Sequence, residues 1–369
     1  MRLKGLLAAT ASIALCILIN QSTASADDLV DTAKAKVAAA SQKADHWDGP
    51  TTGPKASADK TIVYVAGDMR NGGILGVSDG IKEASAVMGW NFRAIDGQGT
   101  VSGQSAALNQ AIALKPDAII LGGSDAVEQK TGLEAAAAQG IVIAGWHSGP
   151  NPGPMPDAHL FVNVTTNAMN VAEIAAMKVI ADSDGKAGVV IFADSAYAIA
   201  IAKGRAMEEV IKKCAGCKVL SFEDTPLADT ANRIPQLTTT LLQRYGAKWT
   251  HSLAINDLYY DFMGPSLAAA GLKGNEAPFN ISAGDGSESA YQRIRSGQYQ
   301  AATVPEPLAM QGWQVVDELN RAFSKQAWSG YVPGIHIVTA DNIAFDGGDK
   351  NVFDPDNGYR DQYKKIWGK

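Results

Sequence analysis

The segment TIVYVAGDMRNGGILGVSDG, residues 61–80, constrains this chain more than any other. Its first six residues form a short apolar run rich in β-branched side chains, set between Lys60 and Gly67. That is the pattern of a strand covered on both faces. The polar, glycine-rich turn 67–73 then places Asp68, Arg70 and Asn71 just beyond the strand's carboxyl end, where a helix begins. In an open α/β sheet, ligands bind at that edge. A single loop of this kind is equally a solvated connection, and Asp68 and Arg70 are spaced to pair with each other. Later strands that end in the same way give the pattern its weight.

From residue 61 the chain alternates strands and helices with short connections. Strands are expected at 61–66, 91–96, 117–122, 141–147 and 160–164, and again at 187–193, 218–222, 251–255, 279–283 and 300–304. Helices are expected at 102–114, 124–139, 167–182, 197–213, 233–245, 258–270, 287–296 and 308–323. Ser124 is a candidate N-cap with Gly140 as the stop. Pro235 fits only near a helix start. Such alternation predicts parallel sheets flanked by helices, and two successive five-strand halves predict two similar α/β lobes with a cleft between them. The expected division is 61–164 plus 308–331 for the first lobe, and 165–307 plus 332–369 for the second lobe and tail. Residues 27–60 are expected to form a helical arm and linker, the helix over 28–44. Hinges are expected near Thr165, Ala283 and 304–307.

The 369 residues suffice for two domains, and 46% hydrophobic with 19% charged residues supports a sizeable core. A net charge of −6 argues against nucleic acid or a polybasic membrane contact. Arg2 and Lys4, the apolar run 6–19, and Ala24-Ser25-Ala26 make a cleavable signal peptide over residues 1–26. Leu15 before Cys16 departs from a lipoprotein site. Export to an oxidising compartment favours a structural disulfide for Cys214 and Cys217, over a redox pair or half a zinc site. Among catalytic motifs, no G-x-S-x-G elbow stands at a strand-to-helix turn (residues 76–80 have that spacing only within the helix that follows the first turn), H-E-x-x-H is absent, and Gly185-Lys186 is followed by Ala187 instead of the Ser or Thr of a P-loop. Gly97, Gly99 and Gly103 depart in spacing from a dinucleotide fingerprint and form a turn. No cofactor is expected.

Residues 61–80 resemble, without a gap, the opening strand, turn and helix of ribose-type periplasmic sugar-binding proteins. The resemblance continues through 117–143, through Ala254-Ile255-Asn256-Asp257 and through Gly284-Asp285-Gly286, and ends near Val332. It implies two Rossmann-like parallel-sheet lobes joined by a three-crossover hinge, the type I periplasmic binding fold. It also implies a monomeric periplasmic protein that delivers a sugar or polyol to the permease of an ABC transporter and does no chemistry. Asn71, Asn256 and Asp285 stand where the family has sugar-binding asparagines and an aspartate. His147 stands at an aspartate position, Ser148 at an arginine position, and Glu306 at a glutamine of the last crossover.

The departures bear on the ligand. Where the family carries two ring-sandwiching aromatic residues, this chain has Gly73 and Ile74, and Ile201 replaces an expected arginine. Trp146 and Tyr197 remain to supply a stacking face. The candidate ligand set is therefore Asp68, Asn71, Trp146, His147, Tyr197, Asn256, Asp285 and Glu306. Carboxylates accept strongly from hydroxyls and amides both donate and accept, which suits a polyol. Each residue has a plainer alternative: a helix cap or turn for Asp285 and Asn256, a helix start for Asp257, a structural histidine for His147, a hinge residue for Glu306. The acidity of Asp285 and Glu306 keeps an amino sugar, a nucleoside or another small cation open as ligand. A chemosensory ligand carrier and an exported enzyme are the remaining readings.

Overall fold

The computed structural model describes residues 26–369, so the signal-peptide reading lies outside the described residues. The helices are α1 (Ala26–Ala40), α2 (Gly72–Met88), α3 (Val101–Ala113), α4 (Lys130–Ala138), α5 (Ala168–Asp182), α6 (Ala198–Lys212), α7 (Thr230–Tyr245), α8 (Leu258–Asp261), α9 (Gly264–Ala269), α10 (Glu288–Ser296), α11 (Leu308–Phe323) and α12 (Tyr359–Trp367). The strands are β1 (Thr61–Ala66), β2 (Asn91–Asp96), β3 (Ala118–Gly122), β4 (Val142–Trp146), β5 (Gly153–Met155), β6 (Leu160–Val164), β7 (Gly188–Ala193), β8 (Lys218–Asp224), β9 (His251–Ala254), β10 (Phe279–Ser282), β11 (Ala302–Thr303) and β12 (Val338–Thr339).

Two six-stranded sheets result, ordered β2-β1-β3-β4-β6-β5 and β12-β11-β10-β9-β7-β8. All pairings are parallel except the two that join the edge strands β5 and β12. The central strands are β-branched and fully buried, as helices on both faces require. Of the edge strands, β2 is largely exposed and β8 half-buried, and both carry charge, which blunts their open edges. Helices α2 and α11 pack closely in the first lobe. A Cβ at Gly80 would sit 2.6 Å from the Ala309 carbonyl oxygen, and one at Gly312 would sit 2.6 Å from the Gly80 carbonyl carbon. Glycine at both positions permits that approach.

Several elements differ from the sequence reading. Helix α4 starts six residues later than expected because Asp125 Oδ1 holds the Val127 amide and the Ala126 amide donates to the Ser148 carbonyl. The expected helix over 258–270 is split into α8 and α9. Strands β5 and β12 and helix α12 were not anticipated. Ala283 follows β10 within the second sheet and is not a crossing.

The terminal segments divide between the lobes. Helix α1 lies on α5, with Lys36 paired to Glu173 at 2.5 Å. Residues 47–57 then dress the first lobe, where Asn320 Nδ2 donates to the Pro54 carbonyl and Arg321 to that of Thr52. The tail, assigned wholly to the second lobe from sequence, splits in the same way. Strand β12 pairs with β11, whereas α12 stacks Trp367 on Trp313 of α11 at 5.3 Å. The two ends meet where the Ile337 amide donates to the Ala40 carbonyl. Among the described residues the chain passes between the lobes at 41–46, 165–167, 304–307, 324–337 and 340–358. Cys214 and Cys217 are joined by a disulfide in the turn between α6 and β8.

Candidate functional site

The carboxyl ends of β1, β3 and β4 face those of β7, β9 and β10 across a cleft of about 650 Å³, space at its mouth included. Asn71 caps α2: its Oδ1 accepts from the amides of Gly73 at 2.9 Å and Ile74 at 3.3 Å. Its Nδ2 remains as a donor toward the cleft. Asp68 is held by Arg70 through both carboxylate oxygens, at 2.9 and 2.7 Å.

At the end of β4, Trp146 and His147 form a stacked pair, with ring centroids 3.9 Å apart and planes 7° from parallel. His147 sits in the left-handed region at φ 51°, which turns its ring back over the indole. Its Nε2 lies 3.3 Å from Glu306 Oε1 and its Nδ1 3.8 Å from Asp285 Oδ1, so one imidazole spans two carboxylates. Trp146 Nε1 donates to Gln311 Oε1 at 2.7 Å, Gln311 Nε2 donates to Glu306 Oε2 at 2.6 Å, and Thr166 Oγ1 donates to Glu306 Oε1 at 2.5 Å. Glu306 is thus satisfied from inside the protein.

In the second lobe, Asn256 Nδ2 donates to Asp285 Oδ2 at 2.8 Å, and Asn256 Oδ1 accepts from the Leu258 amide. Asp285 caps no helix; Ser287 takes that part for α10. Asp257 instead anchors the loop, accepting from the Gly286 amide and from Gln300. Tyr197 precedes α6, and its hydroxyl is 3.5 Å from Gln104 Nε2 of the first lobe. A second bond across the cleft runs from the Ala198 amide to Asp125 Oδ2 at 3.0 Å.

Burial pushes the Asp285 carboxyl above its ordinary range, more than His147 and Lys203 pull it down, and Glu306 and Asp257 add to the rise. Burial also presses Glu306 upward. There the adjacent His147 imidazole, with Thr166 and Lys203, prevails and holds it below the usual value.

Of the eight sequence candidates, Asp68, Asn71, Trp146, His147, Tyr197, Asn256 and Asp285 line the cleft, and Glu306 stands behind His147. Asp68 is already engaged with Arg70. Sequence reasoning missed Lys203, which lines the cleft, and Gln311 and Thr166, which orient its rings and carboxylates. Lys203 had a signal: it is the charged residue in the buried face Ile199, Ala200, Lys203, Met207 of α6. Gln311 had a misleading one: it opens the polar stripe Gln311, Gln314, Glu318, Arg321 of α11, which at that spacing reads as a solvated face although the structure buries it. Among the described residues no group of His, Cys, Asp or Glu is placed to hold a metal, and no helix is long and apolar enough to cross a membrane.

Residues 62–327 match the family described as "Periplasmic binding protein domain". No curated protein matches the chain. Several solved structures share the fold. An ABC transporter solute-binding protein from Agrobacterium vitis, bound with alpha-D-tagatopyranose, has 17% identity and a TM-score of 0.69, covering 80% of this chain and 99% of its own. A glucose-galactose binding protein from Geobacillus stearothermophilus has 16% identity and a TM-score of 0.67, covering 78% and 99%. An ABC transporter solute-binding protein from Burkholderia graminis, in complex with D-arabinose, has 16% identity and a TM-score of 0.66, covering 78% and 98%.

Proposed function

Because this chain belongs to the periplasmic binding protein domain family, we propose that it captures a sugar or polyol between its lobes in the periplasm and delivers it to the permease of an ABC transporter. The lobes are taken as 61–164 with 308–331, and 165–307 with β12. The observation that carries the reading is the facing of Asn71 from one lobe with Asn256 and Asp285 from the other across a single cleft, floored by the Trp146–His147 stack. Amide and carboxylate groups hold hydroxyls, and a flat ring covers a C–H face. Closure removes water, so each bond counts for more and a wrong stereoisomer leaves a buried group unpaired. No residue is assigned a catalytic step. Glu306, satisfied by Thr166 and Gln311 and screened by His147, supports the cation reading less than its position in the sequence suggested.

The test is a thermal-shift screen of residues 27–369 against pentoses, hexoses and their polyols, followed by calorimetric titration of hits. A ligand of the native state raises the melting temperature. Silence across the panel removes the sugar reading and leaves nucleosides as the next class to screen.

A further inference from the structure

Lys203 is buried, with 5% of its surface exposed, on the face of α6 that lines the cleft. A lysine is rarely buried so far without a partner of opposite charge. Its Nζ donates to the Ala283 carbonyl at 2.7 Å, which uses one of the three donors of an ammonium. The group is held at the end of β10, two residues from Asp285.

The charged groups that line or back the cleft are Asp68, Lys203, Asp285 and Glu306, with His147 between the last two. Asp68 is neutralised by Arg70. Asp285 and Glu306 are buried at 6% and 3% exposure and share His147 between them. Their hydrogen-bond partners Asn256, Thr166 and Gln311 are neutral. Lys203 brings a positive charge from α6 that favours the ionised form of both carboxylates.

We propose that Lys203 is a specificity-determining residue, whose buried ammonium offsets Asp285 and Glu306 and so tunes the cleft to uncharged polyhydroxylated ligands against amino sugars. This rests on the sugar or polyol reading above and names its substrate class more narrowly. A protonated amino sugar has to enter beside a fixed ammonium, and a sugar acid beside two carboxylates. Like charges at a desolvated contact are a strong means of exclusion. A neutral ligand meets donors from Lys203 and Asn71 and acceptors from Asp285 without either penalty.

The experiment pairs D-ribose, D-arabinose, D-galactose, D-glucose, ribitol and galactitol with their amino-deoxy counterparts, titrated calorimetrically at a pH below the amine's pKa. The expected result is that the wild type prefers the neutral member of its best pair at least tenfold. Lys203→Met should weaken the neutral ligand tenfold or more and shift the ratio at least tenfold toward the amine. Lys203→Arg, which keeps the charge, should hold the ratio within threefold. A folded Lys203→Met protein with an unchanged ratio overturns the proposal while leaving sugar binding intact. If that variant does not fold, Lys203→Gln keeps a donor for Ala283 and takes its place. A wild type that binds both members of a pair equally overturns the proposal without any variant. A wild type that binds none of the twelve compounds overturns the sugar reading itself.

Discussion

Gln311 Nε2 donates to Glu306 Oε2 at 2.6 Å while its own Oε1 accepts from the Trp146 indole at 2.7 Å, so a single amide positions both the ring floor and the buried carboxylate behind it. It does so from the first turn of α11, directly after the crossing at 304–307. Gln311→Leu removes both bonds at once. Each buried polar group left unpaired costs about 1–3 kcal/mol. The expected loss is about 2–4 kcal/mol in chemical denaturation, together with weakened ligand binding. A loss below about 0.5 kcal/mol contradicts the arrangement.

Asp285→Ala should lower ligand affinity about tenfold or more, since a hydrogen bond to a charged group contributes about 1.5–3 kcal/mol. The melting temperature should hold, because the substitution also removes a carboxylate that burial disfavours. Calorimetry on the unaltered protein's best ligand, beside a thermal melt, separates the two effects. Unchanged affinity excludes Asp285 from contact.

Gly73 is where the ribose-type pattern has an aromatic residue, and the structure shows what takes that space. A Cβ there would lie 2.4 Å from Asp285 Oδ2 of the opposite lobe. Gly73→Ala should therefore wedge the lobes apart while leaving α2 intact or slightly firmer, by up to about 1 kcal/mol. Small-angle scattering should show little ligand-induced fall in the radius of gyration. A variant that closes as the wild type does rules out the contact.

Glu318, buried in α11, accepts from the Ser329 amide and hydroxyl. Burial pushes its carboxyl up to about 7; Asp317 adds to the rise, and Ser329 and Arg321 pull down. Between the ordinary glutamate value and about 7 the folded state holds a proton that the unfolded chain has released, so this group's contribution falls as pH rises through that window. At about 1.4 kcal/mol per unit, the contribution is roughly 3 kcal/mol. Glu318→Gln should match the wild type near pH 5 and exceed it near pH 8. Denaturation curves at the two pH values decide, and a constant difference between the proteins refutes the assignment.

Trp367→Ala should cost about 3–5 kcal/mol. The ring is buried, stacks on Trp313, and donates to Asp317 at 2.8 Å. A melting temperature within a degree of wild type argues that the tail is dispensable.

The turn after β1 was legible because strand burial and turn chemistry are local: five β-branched or aromatic residues and an alanine, then glycines and polar side chains. Asn71, Asn256 and Asp285 could be named for the same reason, each following a strand at a fixed offset. Lys203, Gln311 and Thr166 were missed: Lys203 interrupts an apolar helix face, but what each of the three does depends on partners 80, 165 and 140 residues away. Helix α12 did carry a readable signal. Tyr359, Tyr363, Ile366 and Trp367 follow the i, i+4, i+7, i+8 spacing of a buried face, masked by the charges between them. Helix α4 began late for a reason outside its own segment: Asp125 turns its second oxygen to the Ala198 amide of the other lobe.

Two extra passages of backbone lie beside the three that the fold family implies, one just after α1 and one just before α12. A body hung on a narrow set of connections can twist as easily as it bends. Five connections resist twist and shear more than three do, because each would have to lengthen by a different amount. If the lobes close on a ligand, these added connections limit the ways in which they can move. The segments that add those connections are among the first and last of the described residues, outside the span 62–327 that the family model matches.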